Sequence, residues 1–138
     1  MRLDWAMLAE AVQIREGLAF VLAGGIDTVY AAQLPATLAA SVLVRLLVHR
    51  TESDRQQIVE VRVLDEDGVQ LAGMHGHFQP KAPDDLPMGW EVPLLIAFPI
   101  HGLALPAAST YGVEILGNGS HLKSLNFRVR LHPTPGQT

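Results

Sequence analysis

Hydrophobic and polar positions alternate with a period of two along most of this chain. In the last third Tyr111, Val113 and Ile115 alternate with Gly112, Glu114 and Leu116, Gly117-Asn118-Gly119-Ser120 follows, and Leu125, Phe127, Val129 and Leu131 form a second alternating run. Such alternation on both sides of an Asn-Gly pair predicts a β-hairpin, because Asn and Gly tolerate the positive φ angles of a type I′ turn.

The middle of the chain repeats this pattern. From Leu38 to Val48, one face carries Ala40, Val42, Val44, Leu46 and Val48, and the other carries Ala39, Ser41, Leu43, Arg45 and Leu47. The second face is also mostly apolar, which predicts a strand covered on both sides. Ile58 to Leu64 and Val69 to Phe78 flank Asp65-Glu66-Asp67-Gly68, a second hairpin connection. A two-residue turn there places Val59, Val61 and Val63 on one face with Ala72, Met74 and Phe78, and the hydrophobic match favours it. A three-residue loop with a bulged Gly instead places His75 and His77 on the valine face. Pro80 to Gly89 is a connecting loop. In the strand from Glu91 to His101, Pro93 and Pro99 are six apart, so their missing N–H groups fall on one lateral side. This predicts an edge strand or an interrupted one, with Val92, Leu94, Ile96, Phe98 and Ile100 toward the core.

The N-terminal segment is the ambiguous one. Ala, Leu, Met, Glu and Gln between Leu3 and Glu16 favour helix, and Asp4 suits a cap. Against this, Gly17 followed by Leu18-Ala19-Phe20-Val21-Leu22 reads as the return arm of an antiparallel pair whose first arm is Leu3 to Ala9. Leu18 to Leu34 is apolar but contains Gly24-Gly25 and Asp27, and it reads as two strand halves joined by a bend that lets the chain change sheets. Seven or eight short strands separated by turn signals predict an all-β, single-domain antiparallel β-sandwich of the immunoglobulin-like type. The domain spans 1–138, with 132–138 as a short tail leaving the last strand. Tyr111, two residues before Val113, suits the tyrosine that pins a sandwich corner.

Leu3-Asp4-Trp5-Ala6-Met7-Leu8-Ala9-Glu10-Ala11, then Gly17-Leu18-Ala19-Phe20-Val21-Leu22-Ala23-Gly24-Gly25-Ile26-Asp27-Thr28, resembles the opening of an uncharacterised bacterial family of small β-sandwich proteins, known only as a domain of unknown function. The Asp65-to-Gly68 hairpin and the Tyr111-to-Val129 closing hairpin fit it too. The resemblance implies a strand at Leu3 to Ala9. It implies no activity, since that family has no assigned catalytic residues to transfer.

Composition narrows the function classes. The 138 residues are 49% hydrophobic and 17% charged. That is apolar for a small domain, so either two sheets share an extensive core or a partner covers part of the surface. Ten Lys and Arg against fourteen Asp and Glu give a net charge of -4, which offers no basic field to a phosphate backbone and disfavours nucleic acid. The absence of Cys excludes a disulfide framework, a thiolate nucleophile and Cys-ligated metal, and it fits a cytoplasmic location. Asp4, Glu10, Arg15 and Glu16 interrupt any export signal, and the apolar stretch at 18–34 is too short and too interrupted to insert in a membrane.

Candidate chemistry is sparse. His75-Gly76-His77 places two imidazoles on one strand face, a chelating pair for Zn²⁺ or Ni²⁺ if a third ligand joins them. Glu60, diagonal to His75 in the tighter register, and His101 are the candidates for that ligand. Two partly exposed histidines on a strand face are the plainer reading, and no cofactor is expected. Asp65, Asp67 and Gly68 lack the twelve-residue spacing and flanking helices of a calcium loop, and Gly24-Gly25 lacks the third Gly and the helix of a dinucleotide site. Ser41, Ser109 and Ser120 sit in no nucleophile elbow. Trp5 and Trp90 have no Lys or Arg cluster beside them and read as anchors rather than base-stacking platforms. The expected function is therefore non-enzymatic association, with self or another protein, through the outer-face residues Leu43, Leu47 and Leu95. The alternative is a small-ligand or metal-binding domain using the His75/His77 face.

Overall fold

The computed structural model describes residues 1–132, and among these it holds nine strands, one short 3-10 turn at Arg50–Glu52 and no α-helix. The strands are β1 (Arg2–Arg15), β2 (Leu18–Gly24), β3 (Thr28–Ala31), β4 (Ala36–Val48), β5 (Gln57–Leu64), β6 (Gln70–Phe78), β7 (Val92–Leu105), β8 (Thr110–Gly117) and β9 (Ser120–Leu131). They form a four-stranded sheet in the order β2-β1-β4-β7 and a five-stranded sheet in the order β3-β9-β8-β5-β6. The all-β sandwich expected from the alternation is present, with nine strands rather than seven or eight. The tail expected at 132–138 lies, apart from His132, outside the described residues.

The N-terminal segment is strand from Arg2 to Arg15 despite its helix-forming composition. Propensity differences of a few tenths of a kcal/mol per residue are outweighed by pairing on both sides. Residues 2–9 pair with β4 and residues 9–15 pair with β2, so the return arm Leu18–Leu22 lies against residues 11–15 and not, as expected, against Leu3–Ala9. Glu16 and Gly17 both take positive φ, 52° and 74°, and close the two-residue hairpin in which Arg15 lies opposite Leu18. Gly24-Gly25 then ends β2, and the chain crosses to the other sheet, where β3 runs parallel to β9.

The core lies between the sheets. Leu38, Val42, Val44 and Leu46 of β4, with Ile96, Phe98 and Ile100 of β7, face Val59, Val61 and Val63 of β5, Val113 and Ile115 of β8, and Phe127 and Val129 of β9. Each such side chain contributes about 1.5–3 kcal/mol relative to an exposed one. β4 is the strand buried on both faces, as its pattern predicts: Ser41 and Leu43 on its outer side are buried as well.

The β5–β6 hairpin resolves the register question in an unexpected way. Gly68 takes φ 82° and its N–H donates to the Asp65 carbonyl at 3.0 Å, while the Asp65 N–H donates to Val69. That is the bulged three-residue loop. A second irregularity between Val63 and Leu64 then skips Leu71, so that Val63 pairs with Ala72, Val61 with Met74 and Val59 with Gly76. Two one-residue shifts of opposite sense restore the hydrophobic face. His75 and His77 consequently point away from the valines. A Cβ on Gly76 would lie 2.5 Å from the Phe78 ring, so the glycine between the histidines makes room for an aromatic side chain on the inner face.

The four sheet edges differ. β7 is an edge strand, one of the two outcomes its prolines predict, and pairs with β4 alone. β3 is only four residues long. β6 projects His75 and His77 outward. β2 carries neither proline nor charge across Leu18-Ala19-Phe20-Val21-Leu22-Ala23-Gly24.

Candidate functional site

The largest departure from a closed sandwich is the hairpin made by the second half of β1 and by β2. The β1–β4 ladder stops at Ala9 and Ser41, and the β1–β2 ladder begins at Ala9 and Gly24. Among the described residues, the ladder partners of 10–23 are therefore one another, and all of them but the half-buried Val12 and Ala19 are exposed. Cross-strand partners share a face, so Ala11/Leu22, Gln13/Phe20 and Arg15/Leu18 form one side, and Val12/Val21 and Ile14/Ala19 form the other. Leu18, Phe20 and Leu22 are 64%, 56% and 61% exposed, and Ile14 and Val21 are also exposed. On β2 both faces of this arm are apolar, while β1 contributes Gln13 and Arg15 to one face and Glu10 to the other. Asp27 is the sole charged residue between Gly17 and Val44, so nothing on β2 supplies the polar face that a solvated strand carries.

The outer face of the four-stranded sheet holds the residues expected to form an interaction surface. Leu43 is 0% exposed, flanked in its rung by Met7 and Ala97, so it is out of a partner's reach. The sequence pattern assigns its face, but burial there follows from its place on β4 between two paired strands. Leu47 and Leu95 are half-buried. Leu47 lines a shallow cleft with Arg2, Arg45, Leu86, Trp90 and Pro93. Two ion pairs cross this face, Arg45 with Asp4 and Arg2 with Glu91. The hydrogen bond that the Arg2 guanidinium donates to Glu91, together with the carboxylate's charge, holds that guanidinium above its ordinary range.

The outer face of the five-stranded sheet is polar. His75 and His77 are exposed, and their rings meet edge to face with centroids 5.6 Å apart. Glu60 lies directly opposite His75 rather than diagonal to it, but its Oε2 accepts from Arg62 Nε and Nη2 at 3.2 and 2.9 Å. His101 is on β7, in the other sheet, paired with Ala39, and does not join them. Among the described residues no three His, Asp or Glu side chains are grouped to hold a metal ion.

One cluster on this face has no sequence signature. His121 Nε2 lies 2.5 Å from Glu114 Oε2 and 2.9 Å from Ser124 Oγ, and the Ser124 hydroxyl donates to the same Oε2 at 2.5 Å. The residues meet because Glu114 pairs with Ser124 and Leu116 with His121 across a register shift in the β8–β9 ladder. Carboxylate and hydroxyl share one ring nitrogen, whereas a proton relay of the Ser-His-acid type needs them on opposite nitrogens. Of the candidate serines, Ser41 is buried, Ser109 is half-buried before β8, and Ser120 follows the Asn118-Gly119 turn. Asp27 accepts from its neighbour's hydroxyl, Thr28 Oγ1, at 3.0 Å, and its carbonyl accepts from the Arg128 N–H at 2.9 Å.

Fold and surface together define a two-sheet β-sandwich with one polar sheet face and one projecting apolar hairpin. The sequence profile of DUF6941, a family of unknown function, matches residues 4–130, and the chain belongs to that family. The match takes in the arm as well as the sandwich. No curated protein matches the chain.

Proposed function

We propose that this protein works by association, as a non-enzymatic module whose principal contact is the β1–β2 arm. The observation that carries the reading is the exposure of Leu18, Phe20 and Leu22 on one face of a hairpin whose other face carries the apolar Val12, Ile14 and Val21. A two-stranded hairpin without a packed face is marginal in water, and contiguous exposed apolar surface marks a site of contact. Leu47 and Leu95 extend the contact surface onto the adjoining sheet face, while the buried Leu43 supports it from beneath.

The sandwich is of the immunoglobulin-like type in this reading. The order β9-β8-β5-β6 matches the G-F-C-C′ order of variable-type domains, β1-β4-β7 matches A-B-E, and Tyr111 makes the corner hydrogen bond at the start of β8. In that frame the arm is an addition between the first strand and the sheet switch.

The test is the mass at which the chain elutes, purified and in native extract of producing cells. The reading predicts a species heavier than the 15.0 kDa chain that collapses to that mass when Leu18, Phe20 and Leu22 are replaced together by Ser. Elution of both proteins at the chain mass in both settings would overturn it.

A further inference from the structure

We infer that the partner of the arm is a second copy of this chain, joined through antiparallel pairing of β2 with β2 across a two-fold axis at Phe20, an inference that rests on the association reading above. The argument begins with the edges. An unpaired edge strand is a template for further pairing, and proteins blunt such edges with proline, charge or short length. β7 carries Pro93 and Pro99, β3 is four residues long, and β6 presents His75 and His77. β6 lacks proline and formal charge as well, but it carries the polar Gln70, His75 and His77, whereas β2 has seven residues with no proline and no polar side chain of any kind, and is the one edge of the four that is apolar throughout.

The register follows from the backbone. Ala23 takes φ 51° and Gly25 φ 85°, so the regular strand is Leu18–Leu22 and its centre is Phe20. A two-fold axis normal to the sheet brings like faces together. Leu18 then meets Leu22 of the second copy, Ala19 meets Val21, and Phe20 meets Phe20. Every rung is apolar, and an aromatic pair lies at the axis. The two four-stranded sheets become one of eight strands, a closed isologous dimer.

Charge and area select this occupant and set its strength. The net charge of -4 opposes docking on an anionic surface, while the paired segment carries no charge and Arg15 and Glu16 at the tip cancel. Five paired residues per copy fall short of the roughly 800 Å² per partner of a standard stable interface. The dimer is therefore expected to dissociate on dilution, with a dissociation constant on the order of micromolar.

The experiment is sedimentation equilibrium over a dilution series of the wild type, Phe20→Lys, Phe20→Glu and an equimolar mixture of the two variants, with far-UV circular dichroism to verify folding. Phe20 is 56% exposed, so the substitutions leave the core untouched. The expected result is a wild-type mass falling from twice 15.0 kDa toward the chain mass on dilution, each variant monomeric because like charges oppose at the axis, and dimer restored in the mixture. A wild-type oligomer that persists in either variant alone overturns β2 pairing while leaving association intact. A wild type that is monomeric throughout overturns it as well. In that case, recruitment of the wild type to phosphatidylcholine vesicles would assign the arm to a lipid surface, and a heavier mass confined to native extract would assign it to a different protein.

Discussion

The Tyr111 hydroxyl donates to the Ala107 carbonyl at 2.8 Å and accepts from the Ala107 N–H at 3.0 Å. One side chain thereby satisfies both backbone groups of a residue in the β7–β8 connection, while its ring stacks on Phe127 with centroids 5.4 Å apart. Tyr111→Phe keeps the stacking and removes both hydrogen bonds. It is expected to lower unfolding free energy by about 1–2 kcal/mol, read as a shift of the urea midpoint at unchanged slope.

Asn118 joins two hairpins. It and Gly119 take positive φ, 49° and 83°, its Oδ1 accepts from the Ile58 N–H at 2.9 Å, and its Nδ2 donates to Gln57 Oε1 at 2.8 Å. Asn118→Ala loses both side-chain bonds and places Cβ chemistry less suited to that φ. A destabilisation of about 1–3 kcal/mol is expected, whereas Asn118→Gly recovers the backbone part alone. Chemical denaturation of the two variants side by side separates the contributions.

Burial separates two leucines that the alternation treats alike. Leu43→Lys places an ammonium at a position with no exposure and is expected to cost several kcal/mol or abolish folding. Leu22→Lys, on a 61% exposed side chain, is expected to change monomer stability by less than about 0.5 kcal/mol. Comparable losses for the two would place β2 in a packed core and contradict the description of the arm.

The histidine pair is expected to act as surface. With Glu60 engaged by Arg62 and His101 in the other sheet, His75 and His77 have no third ligand grouped with them among the described residues. Thermal midpoints of the wild type and of His75→Ala/His77→Ala are expected to respond alike to added Zn²⁺ and to chelator. A stabilisation by metal present only in the wild type would revive the ligand-binding reading.

The parts of the fold legible in the sequence are those governed by local chemistry. Asn118-Gly119 announces its turn because few residues tolerate that backbone, and Pro93 and Pro99 announce an edge or an interruption because neither can donate. The Gly24-Gly25 bend marks the sheet change for the same reason. The β5–β6 register was harder to read, since loop geometry favours the bulge and hydrophobic matching favours the tighter pairing. The chain satisfies both by adding a second bulge opposite Leu64, which no local signal encodes. Leu43 shows its face but not its depth, because exposure on an outer face depends on what flanks it in neighbouring strands.

The return arm Leu18–Leu22 was legible as a strand, but its partner was not, since it pairs with residues 11–15 rather than with Leu3–Ala9, and its projection was illegible. Leu18 to Leu22 reads as a paired strand by composition, and only the exposure of Leu18, Phe20, Val21 and Leu22, beyond the point where the β1–β4 ladder ends at Ala9 and Ser41, shows that it is not packed. The His121, Glu114 and Ser124 cluster escaped for a related reason: a register shift between β8 and β9 decides which side chains meet. In both cases long-range pairing, not residue type, places the group.

The most direct test of the central claim is residue-resolved amide hydrogen exchange along Leu18–Leu22 at high and low protein concentration. In an isolated hairpin, alternate amides of β2 bond to β1 and the others face solvent. If β2 pairs with a second copy, all five amides are protected at high concentration, and the outward-facing ones lose protection on dilution while the inward-facing ones keep it. Fast exchange of the outward-facing amides at every concentration would contradict pairing through this edge.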